Sequence, residues 1–165
     1  MERIARFEKV SPAQWEKDTG NMAGESPAES YGRIALPRRA TAGSAGYDIC
    51  TPFDICLEPG ESIRIPTGIR AAMREDHCLL IVPRSGLGSR YRFQLNNTVG
   101  VIDSDYYHSD NEGHIFVPMI NDSRDGRRLE LKAGSAFAQG IFVRFGITEE
   151  DCAETVRNGG FGSTG

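Results

Sequence analysis

From Tyr31 to Phe145 short apolar runs alternate with turn signals, and no long helical pattern joins them. The turns read Glu58-Pro59-Gly60, Pro66-Thr67-Gly68, Arg124-Asp125-Gly126 and Lys132-Ala133-Gly134. Glycine supplies positive φ there and proline pre-sets its own φ. The runs between turns have strand length: Arg33–Leu36, Tyr47–Ile49, Ser62–Ile65, Ile69–Met73, Leu79–Val82, Val99–Ile102, Gly113–Ile120, Arg128–Leu131 and Phe137–Phe145. Many short strands at close spacing predict an all-β sandwich, jelly roll or barrel. Nineteen glycines and eight prolines spread along the chain supply the turns such a fold needs. There is no internal repeat.

The flanks differ. Residues 1–30 read as an N-terminal arm, 31–145 as a β core and 146–165 as a flexible tail. Ser11-Pro12-Ala13-Gln14 is a helix-start signature, with Ser as N-cap, Pro at the first helical position and Gln three residues after the cap. Gly20 ends that helix. It is too short to stand alone, so Trp15 is expected to dock on the body or on a neighbouring subunit. Residues 24–30 read as a linker.

At 165 residues the chain is long enough for one real core. The formal net charge of -4 leaves no basic footprint for nucleic acid. No run approaches the roughly 18 apolar residues of a membrane span. The N-terminus has no apolar signal region, so a cytoplasmic location, of bacterial or phage type, is expected. Four cysteines, at 50, 56, 78 and 152, lack metal-type spacing and read as buried free thiols. His108 and His114 bracket an acidic segment that reads as a solvated loop.

Five stretches carry chemistry. Asn97 leads into Gly100-Val101-Ile102, a strand that delivers Asp103 at its end, with Tyr106 three residues on. Gly100 inside the strand marks a bulge or a close approach to the backbone. A carboxylate beside an aromatic suits a site that activates water. Pro83-Arg84-Ser85-Gly86-Leu87 joins guanidinium, hydroxyl and backbone N–H groups in an anion cradle; Ser85 is not set up as a nucleophile. Asp48, in Ala45-Gly46-Tyr47-Asp48, is a turn carboxylate or reaches a metal or its waters. Gln139 in an apolar run must find a backbone or ligand partner. The tail, Arg157 through Gly160-Phe161-Gly162-Ser163-Thr164-Gly165, formally spells GxGxxG, but no helix follows. Its backbone N–H groups can still wrap phosphate. The set fits hydrolysis of a phosphate-rich substrate with a hard cation on the phosphates.

In this order the five stretches resemble the trimeric dUTP pyrophosphatase (dUTPase) family. The resemblance spans residues 45–165. It implies a jelly-roll β-clip forming a homotrimer, with three sites at subunit interfaces and the tail of one chain closing each. It implies hydrolysis of dUTP to dUMP and pyrophosphate, which limits uracil in DNA and supplies dUMP. Asp103 would activate the water that attacks the α-phosphorus. Mg²⁺ would sit on the triphosphate, with Asp48 reaching its waters. Arg84, Ser85, Gly86 and Gln139 would hold phosphates. Asn97 and the backbone of Gly100, Val101 and Ile102 would read uracil. Tyr106 would pack on the deoxyribose and reject ribose. Phe161 would stack on uracil, and Arg157, Gly162 and Ser163 would clamp phosphates.

Three places depart from the family pattern. Tyr107–Asn111 lengthens the turn after Tyr106, Ala136 stands where an Arg is common, and the last motif is one residue shorter between Arg157 and Phe161. The rival on the same fold, a dCTP deaminase, needs an acid–base Glu for which the sequence shows no clear candidate. A non-enzymatic nucleotide-sensing or protein-binding module is the other alternative.

Overall fold

The computed structural model describes residues 2–20, 22 and 26–154. The strands in chain order are β1 (Ala5–Lys9), β2 (Tyr47–Cys50), β3 (Ile55–Leu57), β4 (Ser62–Pro66), β5 (Ile69–Met73), β6 (His77–Pro83), β7 (Phe93–Leu95), β8 (Gly100–Ile102), β9 (Phe116–Asn121), β10 (Leu129–Leu131) and β11 (Ala136–Arg144). Among the described residues three helices join them: α1 (Pro12–Thr19), α2 (Pro27–Gly32) and α3 (Ser85–Tyr91). A 3-10 turn covers Ser104–His108.

The strands pair antiparallel in small sheets ordered β2-β11-β6-β8, β4-β9-β7, β1-β5 and β3-β10. Their inner faces bury Ile49, Ile65, Ile69, Leu79, Ile81, Phe93, Met119, Leu129 and Phe137 to 1% exposure or less. Nearly every pairing joins strands distant in sequence, which is how a jelly-roll-like fold removes its edges.

The start of the chain is built into this body. β1 pairs residue for residue with β5. Trp15 is 1% exposed, and its indole N–H donates to the Pro27 carbonyl at 3.0 Å and the Ser30 hydroxyl at 3.1 Å. Ser11 caps α1 as expected, accepting from the Gln14 N–H at 3.1 Å. Gln14 does not complete the capping box. Its side-chain amide donates to Asp18 Oδ2 at 2.8 Å, and the Ser11 N–H goes to Glu112 Oε2 at 2.7 Å.

Several expectations need correction. The stretch read as a linker contains most of α2, started by Ser26-Pro27-Ala28-Glu29 with Ser26 accepting from the Glu29 N–H. Arg33–Leu36 is not a strand, because Arg33 is the C-cap of α2. The short strands β1, β3 and β7 were not foreseen. Gly100 makes no bulge: a Cβ there would meet Ile81 Cβ at 3.3 Å, so the glycine permits close packing. The bulge lies in β11, between Ala136 and Ala138. All four cysteines are free, but Cys56 and Cys152 are exposed and Cys50 and Cys78 only partly buried.

Candidate active site

Three neighbouring strands and the start of α3 assemble a polar cluster. Gln139 of β11 lies directly opposite Asp48 of β2 on one side and Val82 of β6 on the other. Directly opposed residues share a face, so the two side chains meet: Gln139 Nε2 donates to Asp48 Oδ1 at 2.9 Å. Arg84, at the N-cap of α3, brings Nε within 3.7 Å of the same oxygen. Gly46 makes room, since a Cβ there would press on Gln139 Oε1 at 3.1 Å. Ser85 and Gly86 open the first turn of α3 and are exposed. N–H groups of a first helical turn have no intrahelical acceptor. Carboxylate, amide and guanidinium therefore meet, with exposed backbone donors following Arg84 in the chain, a set suited to a phosphate chain carrying a hard cation. The Cys50 thiol beside them is pushed up, chiefly by burial and then by the Asp48 carboxylate.

The second cluster follows β8. Gly100, Val101 and Ile102 pair with Ile81, Leu80 and Leu79. Ile102 is buried and Val101 is 49% exposed on the outer face. Asp103 then occupies the N-cap position of the 3-10 turn without a side-chain capping bond. Asp103 follows Ile102, which is opposite Leu79, and so stands beside the start of β6; burial first, and the Asp103 carboxylate second, push the Cys78 thiol there up. Tyr106 is 3% exposed, and its hydroxyl donates to the His114 carbonyl at 2.8 Å. Asn97 is exposed in the turn entering β8. Arg157, Phe161, Gly162 and Ser163 lie outside the described residues.

Asp48, Arg84 and Gln139 thus meet, and Asp103 does not join them within the chain. Gln139 stands level with Val82, whereas Asp103 adjoins Ile102, which is opposite Leu79. The four residue steps from Cys78 to Val82 span about 14 Å of strand. Between the two clusters lie Leu80, Val82, Val101, Ile141 and Val143, partly or fully exposed on the outer face.

Sequence reasoning missed the surroundings of Tyr106. The segment after it does not run free in solvent. His114 is 0% exposed, with Nδ1 2.6 Å from Asp18 Oδ2 and Nε2 accepting from the Gly68 N–H at 2.9 Å. Of the two histidines His108 keeps the expected exposure, as does Asp110 between them. The Tyr107 hydroxyl donates to Glu8 Oε2 at 2.6 Å, and Arg70 lies 3.6 Å over its ring. No local pattern links residues some hundred positions apart.

The family model described as dUTPase matches residues 32–165. The chain belongs to the dUTPase family. The deoxyuridine 5'-triphosphate nucleotidohydrolase of Lactococcus lactis is 40% identical over 135 residues, covering 80% of this chain and 89% of that protein. The enzyme of the same name from Methylobacillus flagellatus is 40% identical over 136 residues, covering 79% and 87%. The crystal structure of the dUTPase from Streptococcus mutans superposes with TM-score 0.66 at 31% identity, over 87% of this chain and 98% of that one. The dUTPase of phage phi11 of S. aureus, which coordinates a structural Mg(II) ion, has the same fold at TM-score 0.65 and 19% identity, over 93% and 98%. Within this dUTPase the first 31 residues precede the matched region, yet they supply β1, α1 and most of α2.

Proposed function

We propose that the protein hydrolyses dUTP to dUMP and pyrophosphate, in a site assembled from more than one copy of the chain. The observation that carries the second half is the separation of the two clusters. Reacting atoms must come within about 3–3.5 Å, whereas Asp103 and the Asp48–Arg84–Gln139 cluster stand about 14 Å apart along β6. A homotrimer brings the Asp103 half-site of one copy to the Asp48 half-site of another, and the outer-face residues Leu80, Val101, Ile141 and Val143 become buried between them. The tail of a third copy, with Arg157, Phe161, Gly162 and Ser163, closes over the ligand.

In this reading Asp103 takes the proton of a water and aims it at the α-phosphorus. The electrons of the scissile P–O bond leave on pyrophosphate. Arg84 and the N–H groups of Ser85 and Gly86 hold phosphate oxygens, and Gln139 fixes Asp48. Asn97 and the Gly100–Ile102 backbone read the edge of uracil. Tyr106 presents the rim of its ring to the deoxyribose and leaves no room for a 2'-hydroxyl. Among the described residues no three His, Cys, Asp or Glu side chains cluster as metal ligands. Mg²⁺ would be held mainly by the triphosphate, with Asp48 reaching it through water. When bound, the ion neutralises phosphate charge; positioning and electrostatics supply most of the rate.

Turnover in ¹⁸O-water tests the line of attack. The label is expected in dUMP, and label in pyrophosphate overturns the role of Asp103. Offering dCTP in parallel tests the rival: ammonia released from dCTP would replace the dUTPase reading.

A further inference from the structure

The segment that follows Asp103 is held from outside the family-matched region. Successive hydrogen bonds fold it: Tyr106 N–H to Asp103 O, Ser109 N–H to Tyr106 O, Glu112 N–H to Ser109 O and His114 N–H to Asn111 O. At its far end Glu112 has φ 59 and Gly113 φ 72. Left-handed backbone costs a non-glycine residue about 1–2 kcal/mol. Such strain persists only where surroundings over-determine it, and it gathers at functional segments. Gly113 can be nothing larger, because a Cβ would stand 2.8 Å from Tyr107 Cα and 2.9 Å from Tyr106 O.

What holds Glu112 is Ser11. The Ser11 N–H donates to Oε2 and the Ser11 hydroxyl to Oε1, both at 2.7 Å. These bonds hold the Glu112 carboxyl below its usual range. The same hydroxyl caps α1. One carboxylate thereby ties the start of α1, which no family motif contains, to the end of the loop that begins at Asp103. Two flanking ties repeat the pattern: Glu8 with Tyr107, and Asp18 with His114.

We propose that Glu112 is a positioning residue for the Asp103 half-site, acting through Ser11. It fixes the Ser104–His114 loop, and so the aim of Asp103, without touching substrate. This rests on the reading of Asp103 as the residue that activates water. The cost of losing the tie belongs in kcat, because misplacing a reacting group by about 1 Å is enough to cost up to about a hundredfold in rate. KM changes less: the phosphate and uracil contacts lie outside this loop, and only the Tyr106 contact with the deoxyribose lies within it.

The test uses the full chain with three substitutions. Glu112→Gly removes the carboxylate and also relieves the left-handed strain, so the loop keeps its fold. Glu112→Ala removes the carboxylate alone, and Glu112→Gln keeps an acceptor for the Ser11 donors. With dUTP and Mg²⁺, Glu112→Gly and Glu112→Ala are expected to lose about tenfold in kcat with less than a twofold change in KM, and Glu112→Gln to recover most of it. Hydrogen exchange of residues 103–114 is expected to speed up in the same order. Unchanged kcat in folded Glu112→Gly overturns the proposal, as does a loss that Glu112→Gln does not rescue. Wild-type protein in the same assay separates the two readings. If it does not turn over dUTP, the functional reading fails, and unaltered exchange in the variants sinks the brace independently.

Discussion

His114 carries more of this protein's behaviour than any motif would suggest. Its Nε2 accepts from the Gly68 N–H, so the single proton sits on Nδ1 and points at Asp18. Burial holds its pKa below the ordinary 6.5. The bond to Asp18 and the charge of Glu112 oppose that shift, and Arg64 adds to it. The unfolded chain therefore takes up a proton near pH 6.5 while the folded chain resists. The unfolded state binds more protons below that pH, so stability falls as pH falls. Urea unfolding at pH 7.5 and 5.5 is expected to show wild type losing stability between them. His114→Gln is expected to be weaker at pH 7.5 and to lose much of that slope. Sequence placed this histidine in solvent because its neighbours are acidic. Its actual partners, Asp18 and Gly68, are 96 and 46 positions away. Asp48 and Gln139 were legible one by one, as polar residues in apolar runs, but their hydrogen bond follows from strand register alone.

At the level of elements, local chemistry foretold where it was self-contained. The Ser-Pro start of α1 and most core strands could be read from periodicity and turns, because neighbouring residues decide both. The matching Ser26-Pro27 start of α2 was hidden by its polar, loop-like composition. β1, β3 and β7 are short, and only pairing with distant partners makes them strands. Trp15 joins α1 to α2 and packs 5.7 Å from the His114 ring. Trp15→Ala leaves a cavity and removes the indole donor to the Pro27 carbonyl and the Ser30 hydroxyl, so a loss of about 3–5 kcal/mol is expected. Denaturant unfolding checks this. A loss under about 1 kcal/mol would mean that α1 and α2 hold by their caps alone.

Across the whole molecule, the division of the site makes the sharpest prediction. Asp48→Ala and Asp103→Asn are each expected to be inactive. Coexpressed, they are expected to recover about a quarter of wild-type activity, because random mixing in a symmetric oligomer pairs an intact Asp48 with an intact Asp103 at about one site in four. If both carboxylates served from one chain, no mixture would recover anything. Light scattering is expected to give three times the 18.1 kDa mass of the chain.

The sequence by itself determined the all-β class, the order of the five motifs and the residue types each half-site offers, because these depend on neighbours within a few positions. Only the tertiary structure decided that Asp103 stands apart from Asp48, that Glu112 leans on Ser11 and that His114 is buried. Each of those depends on which strands pair and in what register, and long-range pairing leaves no mark in a local stretch of residues.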